Sequence, residues 1–416
     1  MQLNGKIQKL YEIWSKYFEI SVHKNEHLRS TLFFFILGTY FTKSGIKILY
    51  SGRFNTCRVN LFHIQQSGSG KSEAMKAAHF QMKFLGLDGL YLTKTTDASL
   101  IGTINLNNKK EPVIRYGELS KRDYLVWDEG SVLMKVGPYS ENLQSIIQQA
   151  TDDPGYIEKT LANGLIKFTT ETSICASSYL EENINLSLFK NGCFQRMITS
   201  HHAVKDHDII DFIKHKSKLM AHSYSEKAKL MDEFKHVLQS LNFSGYKVYN
   251  STKYIEIDIN AMNEVCNDYI APFAEAGQQA FLDNNYRHMI LNTFLARNNQ
   301  IISIAAIVAL VNGKEKISKE ELLIGFEIWK AHILSANDLL MSKIDKTTVD
   351  DYEKRLLILT NILNGNAKLN KTQLYNKLLE LKKSGIWDLG MNNTIKFVKQ
   401  AVSKGDVKEV NGFIQN

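Results

Sequence analysis

Residues 65–72 read QQSGSGKS, small and glycine residues closing on a lysine and a serine. Glycines leave the backbone free to turn inward, so N–H groups at Ser67, Gly68, Ser69 and Gly70 can surround an anion. Lys71 would then reach the β- and γ-phosphates of a nucleotide, and the Ser72 hydroxyl would ligate Mg²⁺. The strict pattern has glycine where this chain has Gln65. Further along, the apolar run Tyr124-Leu125-Val126-Trp127 ends in Asp128 and Glu129. Carboxylates at the C-terminal edge of a strand stand where doubly wound sheets bind their ligands. Asp128 would hold Mg²⁺ through water, and Glu129 would polarise a water for in-line attack on the γ-phosphate. Either motif alone has a bland alternative, a surface turn or a solvated strand end; together they read as one site built for hydrolysis.

The elements needed to position these residues are present in the pattern. RVNLFHI, from Arg58, reads as a strand leading into the loop, and SEAMKAAHFQMKFLG as the helix leaving it. DYLVWDEG and ETSICASS read as buried strands, with NLQSIIQQA a helix between them. Ser177 or Ser178, ending the last strand, could hydrogen-bond the attacking water or the γ-phosphate. In LFKNGCFQRMI, Arg196 would either pair with a local acid or reach the γ-phosphate of a neighbouring subunit, steadying the transition state. Alternating strands and helices signal an α/β core.

The chain of 416 residues is 44% hydrophobic and 23% charged with 4 Pro, which excludes a disordered or fibrous polymer. Its formal net charge of +8 suits an anionic partner. Cys57, Cys175, Cys193 and Cys266 stand far apart, without metal-ligand or disulfide-framework spacing, as in a reducing cytoplasm. The strongest apolar run, TLFFFILGTYF over 31–41, is about half a membrane span and reads as a buried helix. No membrane partner is expected. HHAVKDHD at 201–208 reads as a solvated loop rather than a metal site.

The order of these pieces resembles an AAA+ ATPase, and most closely the MCM-like replicative helicases of plasmids, phages and integrated elements. The matched stretch runs from Arg58 to His202, and its telling part is ATDDPGYIEKTLANGLIKFTTETSICASS. TLANGLIKFTTETSI reads as strand, Asn-Gly turn, strand, where the family places a hairpin pointing into a central channel. The resemblance implies that Lys159 and Lys167 face DNA phosphates, that Arg196 is an arginine finger, and that a second sensor arginine is Arg297, or failing that Arg287. It also implies ATP, Mg²⁺, a hexameric homo-oligomer, single-stranded DNA in the pore, and a separate primase or initiator. Gln65 departs from the family pattern, as does Tyr179, which stands in place of the sensor asparagine. The family's long N-terminal domain has no counterpart.

The expected organisation is a helical N-terminal segment over 1–55, an AAA+ P-loop core over 56–205, a helical lid over 206–346 and a winged helix over 347–416. The last unit follows from three amphipathic helices and a strand-turn-strand. From Thr347 onward it holds 11 Lys+Arg against 7 Asp+Glu, and Lys396 and Lys399 lie on its recognition helix, where they could touch a duplex or fork. Two rival readings remain at this point: a non-translocating AAA+ initiator that oligomerises on DNA, and a signalling NTPase.

Overall fold

The architecture is that of a computed structural model, which describes residues 3–22, 26–65, 69–108, 110–134, 138–179, 192–202, 210, 214, 224–281, 299–347, 351–364, 369–383, 387, 389–404, 407–410 and 412–415. The chain forms two compact units, Met1–Leu340 and Met341–Asn416.

The first unit opens with helices α1 (Gly5–Glu19) and α2 (Glu26–Lys43). In α1 the buried residues Ile7, Leu10, Trp14 and Phe18 recur at helical spacing and make one apolar stripe. The 31–37 stretch of α2 is buried on every side, so its continuous hydrophobicity reflects a central helix. A hairpin follows, β1 (Ile46–Tyr50) and β2 (Arg53–Asn55), turned by Ser51 and Gly52 at positive φ. Next come β3 (Leu61–Gln65), α3 (Lys71–Phe84), β4 (Gly89–Leu92) and the short α4 (Asp97–Ile101). Strands β5 (Gly102–Leu106) and β6 (Pro112–Tyr116) pair as a hairpin; then come β7 (Tyr124–Trp127) and α5 (Pro138–Thr151). A third hairpin, β8 (Gly155–Leu161) with β9 (Gly164–Thr170), leads to β10 (Ser173–Ser178) and β11 (Ile198–His202). His201 and His202 therefore end a strand rather than sit in a loop.

The core sheet has the order β11-β3-β10-β7-β4, and every pairing in it is parallel. β3, β7 and β10 are buried at every residue, as strands covered on both faces must be. Helix α2 packs on β3, β10 and β11, and α3 packs on α2 and β4. The chain leaves β3 toward one edge of the sheet, and after β10 it crosses β3 to the other edge. This reversal opens a crevice at the strands' C-terminal ends.

The rest of the unit braces that core. Helix α6 (Tyr224–Gln239) packs on α1; strands β12 (Lys247–Tyr249) and β13 (Thr252–Ile257) precede α7 (Ile259–Val265) and α8 (Ala271–Phe281). Then come α9 (Asn299–Val311), β14 (Lys316–Ile317) and the long α10 (Lys319–Thr347), whose residues from Met341 onward belong to the second unit. A second sheet of order β12-β13-β1-β2, with β14 beside β13, joins β1 to residues some two hundred positions away. The first 55 residues are thereby woven into the first unit.

The second unit contains α11 (Asp351–Asn364), β15 (Leu369–Asn370), α12 (Lys371–Lys383), α13 (Met391–Lys404), β16 (Lys408–Val410) and β17 (Phe413–Gln415). Its antiparallel sheet has three strands, β15-β17-β16, one more than the expected strand-turn-strand, since β15 at two residues is too short to leave a pattern. Leu359, Leu374, Leu378, Trp387, Phe397 and Ile414 close its core, and Trp387 Nε1 donates to Thr394 Oγ1 at 2.8 Å. Among the described residues no helix is long and apolar enough to cross a membrane.

Candidate nucleotide site

Five elements, β3, α3, β4, β7 and β10, converge at the C-terminal edge of the core sheet. Gly70 takes a left-handed conformation (φ +78°), and the chain turns there from the loop into α3. The first N–H groups of this 14-residue helix have no acceptor within it, which gives its start a partial positive charge. Lys71 is buried and donates from Nζ to the Ser178 backbone oxygen at 2.7 Å. Its ammonium also lies 5.9 Å from the centre of the Tyr179 ring. Burial pushes the Lys71 pKa down to about 8, against the opposing pull of Asp128 and Glu129.

Ser72 Oγ donates to Asp128 Oδ1 at 3.0 Å. Asp128 follows β7, and three further contacts fix it. Its N–H donates to Leu92 O at 2.9 Å, Ser177 Oγ donates to its backbone oxygen at 2.6 Å, and the Tyr91 hydroxyl donates to Oδ2 at 2.6 Å. Burial, followed by this bond to Asp128, raises the Tyr91 pKa. Ser177 also lies 3.3 Å from Asp128 Oδ1, so its hydroxyl is turned to the carboxylate. Glu129 is exposed beside this cluster. Gly130 packs closely here: a Cβ there would stand 3.1 Å from Ser177 O.

Gln65, Ser69, Gly70, Lys71, Ser72, Asp128, Glu129 and Ser177 thus come from elements that the parallel sheet brings to one edge. Ser67, Gly68 and Arg297, with Arg287, lie outside the described residues. Tyr91 has no signal in the sequence. Its place follows only from the register of β4 on β7, which pairs Leu92 with Trp127. An oxygen-only donor set of one hydroxyl and one carboxylate could share a hard cation with a ligand's phosphates. Among the described residues no group of three or more His, Cys, Asp or Glu is placed to hold a metal by itself.

Arg196 lies apart from this cluster. Its Nε donates to Asp152 Oδ1 at 2.5 Å and its Nη1 to Gly192 O at 2.7 Å, so within the chain it pairs with a local acid. A cavity of about 90 Å³ beside it is lined by Arg58, Asn60, Asp152, Asp153 and Gln300 and shares no residue with the Lys71 cluster.

The β8–β9 hairpin has Ala162 and Asn163 in its turn, and Gly164 opens the second strand at φ +143°. Ile157 and Ile166 are buried; Lys159 donates from Nζ to Asn142 Oδ1, and Lys167 pairs across the strands with Glu158 at 3.3 Å. The tip leans on the other hairpin, with Asn163 Nδ2 donating to Ile104 O at 3.1 Å and Tyr116 meeting Phe168 edge-on at 5.7 Å. That β5–β6 hairpin was not read from the sequence. In it, Leu106, Val113, Ile114 and Tyr116 are exposed. In the second unit, Lys396 and Lys399 are exposed on α13. No family model matches the chain, and no curated protein is similar enough to count as a match.

Proposed function

We propose that the chain is an AAA+ ATPase resembling the MCM-like replicative helicases, which assembles into a ring and moves single-stranded DNA during replication of a mobile element. One observation carries this reading: Lys71 bonds to Ser178 O while Ser72 and Ser177 bond to Asp128, all at the edge where the parallel sheet reverses its order. Lys71 would exchange Ser178 O for phosphate oxygens of ATP. Ser72 and Asp128 fit Mg²⁺, which when bound would offset charge on the β- and γ-phosphates. Glu129, exposed and next to Asp128, would take the proton of the water attacking the γ-phosphorus as ADP leaves. Arg196, fixed beside Asp152, would face the nucleotide of the neighbouring protomer.

The DNA contacts fall on the β8–β9 hairpin, which joins the Asp128 side of the site to β10, and on α13 of a unit read as a winged helix. ATP turnover would shift Lys159 and Lys167 against the strand in the pore, while Lys396 and Lys399 would contact phosphates of the duplex or fork. A non-translocating initiator that uses ATP to oligomerise on DNA is the second reading. One observation favours it: both hairpin lysines are engaged inside the chain, by Asn142 and Glu158.

Unwinding of a forked duplex separates the two, measured beside Lys71→Ala, Glu129→Gln and Lys159→Ala. The translocase reading expects unwinding to vanish in all three, with Lys159→Ala still hydrolysing ATP. ATP-dependent DNA binding without unwinding by the unsubstituted chain would leave the initiator. Absence of DNA-stimulated hydrolysis would sink both and return the signalling NTPase.

A further inference from the structure

Gln65 ends β3 with its side chain wholly buried, and the fold treats its two polar atoms differently. Oε1 accepts a hydrogen bond from Ser69 Oγ at 3.0 Å, whereas Nε2 is buried with no hydrogen-bond partner among the described residues. A buried amide donor without an acceptor destabilises a fold, and an apolar side chain of the same size would avoid that cost. Both atoms hang on one carbon, so Nε2 lies beside the Ser69 end of the loop that leads into α3. An N–H group can only donate, so what satisfies it is an acceptor, never a metal ion. The start of α3 and the Lys71 ammonium make this place attractive to anions for independent reasons.

We propose that Gln65 is a phosphate-positioning residue. Its Nε2–H donates to a phosphate oxygen of the bound nucleotide while Oε1 holds Ser69 in the loop. This departure from the usual glycine is then a gain of one donor rather than a damaged motif. The inference rests on reading residues 65–72 as a nucleotide loop, and the experiment separates the two.

The full chain is titrated calorimetrically with ATP, ADP and adenosine, beside Gln65→Met, Gln65→Gly and Lys71→Ala. Methionine fills the volume without a donor, and glycine restores the common loop pattern. A donor to a charged acceptor is worth roughly a ten- to hundredfold rise in Kd when removed. That loss is expected for ATP and ADP in both Gln65 variants, with adenosine affinity unchanged. The ligand-free melting temperature of Gln65→Met should equal or exceed that of the unsubstituted chain, an outcome a purely structural role would reverse. Should Gln65→Met fail to fold, the phosphate-selective loss is read from Gln65→Gly alone. Undiminished ATP affinity in the variant that folds, or an equal loss for adenosine, overturns the proposal. If Lys71→Ala alone loses ATP, the loop stands and the role of Gln65 falls. If the unsubstituted chain binds no nucleotide, both fall.

Discussion

Burial pushes the Lys71 pKa down to about 8 from the 10.5 of a free lysine side chain. Between those values the unfolded chain holds a proton that the folded chain has released. The ligand-free fold therefore gains stability from this group as pH rises through the window, and below about 8 it carries the cost of a buried charge. Phosphate binding requires the charged form, so its linkage runs the other way. ATP affinity should decline as pH climbs past about 8, with proton uptake on binding detectable by calorimetry in buffers of different ionisation enthalpy. Lys71→Ala should show weak binding and no such slope. A second expectation concerns Tyr91, whose hydroxyl steers Asp128 Oδ2 at 2.6 Å. On the proposed reading Tyr91→Phe raises the Mg²⁺ concentration for half-maximal hydrolysis roughly tenfold, the usual effect of losing a group that orients a metal-binding carboxylate. ATP affinity measured without Mg²⁺ should stay within about twofold, because Tyr91 acts through Asp128.

The elements around the site depend on an arginine that the sequence does not single out. Arg58 is buried just before β3, and its guanidinium donates to Ala150 O at 2.9 Å, Thr172 O at 3.2 Å and Thr170 O at 3.4 Å, and also to Asp152 O. It ties the end of α5 to the base of the β8–β9 hairpin, and Asp153 stands 3.8 Å from it. Arg58→Met should lower stability by about 3 kcal/mol or more, because several buried backbone carbonyls lose their donor at once. Denaturant unfolding would check this, and Arg58→Lys should recover only part because one ammonium cannot span four carbonyls. This shows what local pattern can and cannot carry. The β3–loop–α3 unit and the buried α2 were legible because glycine spacing and continuous hydrophobicity are properties of adjacent residues. So was the β8–β9 hairpin, although its turn is Ala162-Asn163, one residue earlier than the expected Asn-Gly pair. The β5–β6 hairpin was not, since all five residues of β6 are exposed and no inside-outside alternation marks them. Arg58, Tyr91 and the free amide of Gln65 gain their meaning from strands that meet only after folding.

At the scale of the whole molecule, Arg196 is the residue that a single chain leaves out of its own candidate site. Asp152 and Gly192 O fix its guanidinium, and its cavity shares no residue with the Lys71 cluster. Its side chain is only 10% exposed, so it is held in one orientation. A cation so fixed would, if a neighbouring protomer covered it in the proposed ring, be pre-organised to meet that neighbour's γ-phosphate. On the ring reading, each complete site needs Lys71 from one protomer and Arg196 from the next. Arg196→Ala and Lys71→Ala should each lose hydrolysis by about a thousandfold or more when alone, the scale of a missing arginine finger. Mixed in equal amounts and allowed to exchange subunits, the two variants would form some interfaces bearing an intact Lys71 against an intact Arg196. Hydrolysis should then return to a fraction of the unsubstituted level and rise with total protein concentration as assembly proceeds. A mixture as silent as its components, in proteins shown to exchange subunits, would place Arg196 in a structural pair with Asp152 and remove it from the chemistry.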